Sequence, residues 1–329
     1  MGSAHARILN TMVAGATVSS VFDIDHDRAR SAVSDLGTAR VMNDPLELIQ
    51  DADVDVVLVA SSDQSHEQFV LAAIAANKPV LCEKPLAPTS VGCLRVLDAE
   101  RAAGTRLVSV GFMRRYDPGY LDLKSALAAD EIGAPLMLHC VHRNPSAVPD
   151  VASSTLITGS AVHEIDISRW LLGEEFVAAT VHTPRRSRNA GGFTQDPQFL
   201  VLETANGVLV DIEVFVNARY GYEVRCELVG ENGTVSLDSP APTVLRSGGV
   251  ASRGLPRDWR PRFAEAYRAE LQGWVNSIKT GLGGSGATAW DGYVATTVAE
   301  ACVAALESGT RQIIQPEANL SWTSSAGVS

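Results

Sequence analysis

The chain has 329 residues, 46% of them hydrophobic and 20% charged, the composition of an ordinary globular protein with room for two domains. The net charge of −11 argues against a nucleic-acid or anionic-membrane surface, because phosphates would be repelled. The sequence has no apolar run of the roughly 18–20 residues that a membrane span needs and no secretory leader pattern. Five scattered cysteines without a CxxC pair read as reduced thiols of a cytoplasmic protein, with no disulfide frame and no metal site.

In chain order, the first third alternates short apolar runs with helical patterns. "MGSAHARIL" reads as the end of a glycine fingerprint running into its helix, with Gly2 in the place of the third glycine. The preceding strand and first two glycines, about 12 residues by this motif's spacing, are expected upstream of Met1. Strands follow at 16–23, 54–61, 79–83 and 107–111, and helices at 26–36, 67–77 and 90–104. The run "VDVVLVAS" lacks polar alternation, so both its faces are expected to be buried. This rhythm predicts an α/β Rossmann-like parallel sheet, lacking its first strand, over residues 1–113.

After about Pro135 the pattern turns strand-rich, with "ANG" and "ENG" as turn signals. It predicts an α+β domain with an open, mostly antiparallel sheet over residues 114–329. Two long helical patterns close the chain, joined by the Gly-rich connector "GLGGSG" at 281–286, and the tail after Pro316 is expected to be loose.

Two features in the first half suggest a dinucleotide. Asp23 ends the first visible strand, where a carboxylate can accept from ribose hydroxyls and repel a 2′-phosphate, favouring NAD over NADP. Ser61, Ser62 and His66 follow the strand at 54–61 and are placed to line the cofactor. In "CEKPLAPT" a strand ends in Glu83, and Lys84 projects from its carboxyl end into the crevice of such a sheet.

"CEKPL", followed by "VSVGFMRRYDPGY", "LMLHCVHRNP" and "HEIDISRWLLGEE", resembles the glucose–fructose oxidoreductase, inositol dehydrogenase and rhizopine catabolism (Gfo/Idh/MocA) family. "HRNP", "YGY" and "TAWDGY" point to its inositol 2-dehydrogenase branch. The resemblance implies an NAD-dependent cytoplasmic enzyme that oxidises myo-inositol or a related cyclitol to scyllo-inosose. It also implies a homotetramer assembled through the exposed face of the second domain's sheet.

Oxidising a secondary alcohol requires a base, a positive charge near the developing alkoxide and a hydride acceptor. Lys84 and His163 match the family's catalytic lysine and histidine. His142, Asn144, Asp166 and Tyr222 match its substrate contacts, with Tyr220 an alternative to Tyr222. Gly2, Asp23, Ser61, Ser62, His66, Glu83 and Lys84 are the expected cofactor contacts. Arg114 and Arg115 fit either the site or the domain junction. Glu164 points about 100° round the helix from His163 and is a poor orienter for it.

Gly159 departs from the pattern, because the inositol branch carries an aspartate four residues before its histidine. The departure keeps two other readings open. One is a weakly active or non-catalytic family member, and the other is a sugar oxidoreductase of the same family.

Overall fold

The computed structural model describes residues 1–34, 36–37, 39–237, 244–281 and 286–317. Most of the connector at 281–286 and nearly all of the tail after Pro316 fall outside the described residues.

Helix α1 (Gly2–Met12) comes first, followed by β1 (Ser20–Val21), α2 (His26–Val33), β2 (Arg40–Val41) and α3 (Pro45–Gln50). Asp25 and Asp44 start α2 and α3 by accepting from backbone N–H groups of the first turn. Next are β3 (Val57–Val59), α4 (Asp63–Ala75), β4 (Val80–Glu83), α5 (Ser90–Ala103) and β5 (Val108–Gly111). The first domain thus has the expected elements in order, with β2 and α3 inserted unannounced between α2 and β3, and with β1 and β3 shorter than the apolar runs suggested.

Strands β3, β4 and β5 run parallel in one sheet, while β1 and β2 form a separate parallel pair. Among the described residues no strand joins the two sheets. Strand β4 is buried along its whole length, as a central strand with helices on both faces must be.

A 3-10 turn (Met113–Tyr116) and α6 (Pro118–Ala128) lead to β6 (Pro135–Arg143). A short turn α7 (Ser153–Thr155) and a π-helical segment (Leu156–Ala161) precede α8 (Val162–Leu172). The strands β7 (Phe176–His182), β8 (Gln198–Thr204), β9 (Leu209–Phe215), β10 (Glu223–Gly230) and β11 (Thr234–Leu237) follow. A small hairpin, β12 (Leu245–Ser247) and β13 (Val250–Ser252), leads to the 22-residue helix α9 (Trp259–Thr280). Strand β14 (Ala287–Thr288), α10 (Ala289–Ser308) and β15 (Gln312–Ile313) complete the fold. The N-terminus of α10 is fixed by a reciprocal capping box between Thr288 and Asp291.

The large sheet has seven strands in the order β11-β10-β6-β9-β8-β7-β15. Only the β6–β9 pair is parallel, which makes the sheet mixed and mostly antiparallel. Strict alternation in β8 buries Gln198, Leu200, Leu202 and Thr204 on one face and leaves the intervening residues half-exposed. α8 and α10 pack together, and α10 also lies against β7, β15 and α5. Helix α10 therefore ties the two halves together, and β14 adds an antiparallel edge to the first domain's sheet at β5.

Candidate active site

Strand β4 ends at Glu83, so Lys84 leaves the sheet at its carboxyl edge, where the parallel strands leave their last carbonyls. The π-helical segment and α8 cross in front of it. Lys84 Nζ donates to the Gly159 carbonyl oxygen at 2.9 Å. The two elements frame a cavity of about 220 Å³ lined by Glu83, Lys84, Met113, His142, Asn144, Gly159, Ser160, His163, Tyr222, Trp259 and Tyr267, together with Met1.

Residues 84, 142, 144, 163 and 222, far apart in sequence, thus meet in one pocket. His142 and Asn144 share a strand face, as two-residue spacing requires. The His142 ring stands edge-on to Tyr222, with centroids 5.9 Å apart, and its centroid is 6.5 Å from that of His163. Tyr220 instead bonds Arg143 and Glu223 and is half-exposed, so Tyr222 is the tyrosine of the two that lines the cavity.

His163 is 9% exposed. Its Nδ1 is buried without a hydrogen-bond partner, so Nε2 is the nitrogen left open to the cavity. Burial, then the charges of Lys84 and Arg114, hold its pKa well below the ordinary imidazole value. The ring is therefore neutral at neutral pH. Burial also lowers the Lys84 pKa, against the opposing pull of Glu83 and Asp63. Burial pushes the Tyr222 phenol up to about 12, keeping it a hydrogen-bond donor.

The expected cofactor residues divide into two groups. Gly2 opens α1, and a Cβ added there would meet only Ala60 Cβ at 3.9 Å, which places this helix N-terminus beside the end of β3. Asp23 lies just past β1 and pairs with Arg28 at 3.2 Å. Ser62 is the N-cap residue of α4, and Ser61 shares a hydrogen bond with Ser65. Glu83 accepts from His5 Nε2 at 2.6 Å and also faces the pocket. Helix N-termini and a strand-end carboxylate gathered at one sheet edge fit a dinucleotide's pyrophosphate and ribose.

Two of the expected contacts are engaged by protein partners. His66 does not line the cofactor edge. It is 1% exposed, with Nδ1 2.7 Å from the Pro85 carbonyl oxygen and Nε2 3.3 Å from that of Ser61, so it braces the turn carrying Lys84. Asp166 does not reach the pocket. It is buried against Arg115, bonded to Nε at 3.0 Å and to Nη2, and Arg115 also pairs with Asp291 at 3.2 Å. It lies one helical turn beyond His163 on the same side of α8, displaced along the axis to where Arg115 bridges it to Asp291 at the start of α10.

Sequence reasoning missed Met113, Ser160, Trp259 and Tyr267 as lining residues. It also missed the contacts that join Arg114, Glu164 and His142. Glu164 is no partner of His163, as its helix angle indicated, but it bonds the neighbouring histidine, His142. Only the register of α8 over β6 could have revealed that contact.

A Rossmann-type half, an open-sheet half and a lysine–histidine pocket at the strand ends define a dinucleotide-dependent oxidoreductase. Family models agree: "Oxidoreductase family, NAD-binding Rossmann fold" matches residues 1–112, and "Oxidoreductase family, C-terminal alpha/beta domain" matches residues 124–313. The chain belongs to the Gfo/Idh/MocA oxidoreductase family. It is 56% identical to inositol 2-dehydrogenase 2 of Saccharopolyspora erythraea over 94% of this chain and 91% of that protein. It is 48% identical to inositol 2-dehydrogenase of Paracoccus denitrificans over 95% and 93%. The crystal structure of myo-inositol dehydrogenase from Lactobacillus casei, in complex with NAD(H) and myo-inositol, superposes with a TM-score of 0.93. That protein is 36% identical, with 97% of this chain and 95% of the other covered.

Proposed function

We propose that the protein is a cytoplasmic NAD-dependent inositol 2-dehydrogenase, oxidising the axial hydroxyl of myo-inositol or a related cyclitol to a ketone. The observation that carries this reading is the meeting of Lys84 and His163 with His142, Asn144 and Tyr222 around one cavity. A polyol buried there needs a partner for every hydroxyl, and these residues supply donors and acceptors on several sides. The names of the similar proteins support the same substrate.

A bound NAD would supply the acceptor for the hydride of the alcohol carbon. The chain's own residues handle the proton. His163, held neutral, accepts the hydroxyl proton at Nε2. Lys84 places its positive charge beside the developing alkoxide and discourages protonation of His163 beforehand. His142, Asn144 and Tyr222 hold the ring. Gly2 at the start of α1, Asp23, Ser61, Ser62 and Glu83 are the residues that would hold the dinucleotide.

A weakly active variant of this enzyme is the second reading. It is favoured by the unpartnered Nδ1 of His163 together with Gly159, which offers no carboxylate four residues before it. The half-exposed outer face of the large sheet is proposed as the surface of a homotetramer, to be checked by analytical ultracentrifugation.

NADH formation from NAD with a panel of inositol stereoisomers and pyranose sugars tests the substrate. Turnover of myo-inositol above all pyranoses is expected. Turnover of a pyranose alone would place the chain with the sugar oxidoreductases.

A further inference from the structure

The charged groups beneath the pocket do more than compensate one another. Glu164 on α8 and Arg114 in the 3-10 turn are each 1% exposed, and Arg114 Nη1 donates to Glu164 Oε1. The other carboxylate oxygen, Oε2, lies 3.0 Å from His142 Nδ1. Arg114 Nη2 lies 3.3 Å from the same nitrogen. Nδ1 therefore faces two competing partners. The carboxylate requires Nδ1 to carry a proton, and the guanidinium requires it to be bare.

The carboxylate wins this competition for three reasons. Its contact is the shorter. Oε2 has no other hydrogen-bond partner among the described residues, and a buried carboxylate oxygen left unpaired costs more than one idle N–H out of a guanidinium's five. Arg114 already tolerates an unpartnered Nε. The charge of Arg114 in turn keeps Glu164 ionised: burial raises its pKa, and Arg114 with His142 brings it below the usual carboxylate value.

We propose that Glu164, clamped by Arg114, fixes His142 as the Nδ1–H tautomer, so that the pocket presents a bare Nε2 that accepts from one substrate hydroxyl. Glu164 is thereby a positioning residue for substrate recognition, acting through His142. Nε2 is free for this: it has no protein partner, and His142 lines the cavity. The identity of the ligand rests on the polyol reading above. The tautomer itself does not.

Glu164→Gln tests the assignment because it is isosteric and reverses the logic. Arg114 keeps the one amide oxygen, which turns the NH₂ towards Nδ1. His142 must then accept at Nδ1 and carry its proton on Nε2. Histidine labelled at its ring nitrogens reports the tautomer by NMR in the unliganded full-length protein, with His142 assigned from the signal lost in His142→Gln.

The expected result is a proton on Nδ1 in the wild type and on Nε2 in Glu164→Gln. KM for myo-inositol should rise roughly 3- to 10-fold, the worth of one neutral hydrogen bond, at unchanged NAD affinity. A wild-type ring protonated on Nε2, or the same tautomer in both proteins, overturns the proposal. If Glu164→Gln does not fold, the wild-type spectrum alone decides. A wild type that turns over no inositol removes the substrate reading but leaves the ring measurement to judge the tautomer.

Discussion

Gly159→Asp places a carboxylate four residues before His163, the proposed base, which lacks one. The position can take it: the backbone is helical, and an added Cβ would meet only Thr155 Cγ2, at an ordinary 3.6 Å. Asp is also a better helix residue than Gly, so backbone propensity does not oppose the change. Residue 159 lines the same cavity as His163, whose Nδ1 is buried and unpartnered, and Lys84 Nζ already sits against the residue 159 carbonyl. A carboxylate accepting from Nδ1–H forms a charge-assisted hydrogen bond worth about 1.5–3 kcal/mol. The bond strengthens as the ring takes up the substrate proton. If that energy appears wholly in the transition state, kcat rises about 10- to 150-fold. The same energy favours imidazolium in the free enzyme, so the His163 pKa should rise by about 1–2 units. Steady-state NADH formation across pH reads both effects, with KM for inositol nearly constant because the new group touches the base and leaves the substrate contacts in place. A variant that binds NAD and inositol as the wild type does, with neither a gain in kcat nor a displaced acid limb, would refute the reasoning.

In the wild type, kcat/KM should hold level on acidification to below pH 6.5, because His163 in the fold stays neutral where a free imidazole protonates, and on the alkaline side it should fall below pH 10.5 as Lys84 loses its proton. The linkage has a defined sign: with a depressed native pKa, the unfolded chain takes the His163 proton first, so this group's contribution to stability is lost as pH falls below about 6.5, measurable by denaturant titration. Asp166→Asn should destabilise the protein by about 3–5 kcal/mol by breaking a buried ion pair. A direct substrate contact would instead raise KM at unchanged melting temperature. Glu100→Ala should cost about 2–6 kcal/mol in chemical denaturation, since Glu100 Oε1 accepts from the buried N–H groups of Leu107 and Val108 at 2.8 and 2.7 Å.

The fold was readable because its signals are local. The unbroken apolar run of β4 follows from burial on both faces and the alternation of β8 from burial on one, whereas β3, expected to be buried on both faces, leaves Leu58 half-exposed between buried Val57 and Val59. Caps such as Asp25, Asp44 and Thr288 are local too, since each meets its partners within three residues, although they became visible only in the structure. The Lys84 site was also legible, because a charged residue at the end of a buried strand has few places to go.

The errors came from long-range placement. His66 reads as a polar residue at a strand end, and only the Pro85 turn folding over it makes it a brace. Asp166 lies one turn from His163, yet Arg115, 51 positions away, turns it from a substrate contact into a structural anchor.

The sequence alone determined the two-domain order, the dinucleotide-type sheet, and the lysine and histidine proposed to handle the substrate proton, because periodicity and strand-end chemistry act over a few residues. Tertiary structure alone decided which polar side chains face the cavity and which are consumed beneath it. Helix angles place Glu164 away from His163, but only the packing of α8 over β6 brings it to His142. That outcome depends on the relative rotation of two elements, and no short stretch of chain encodes it.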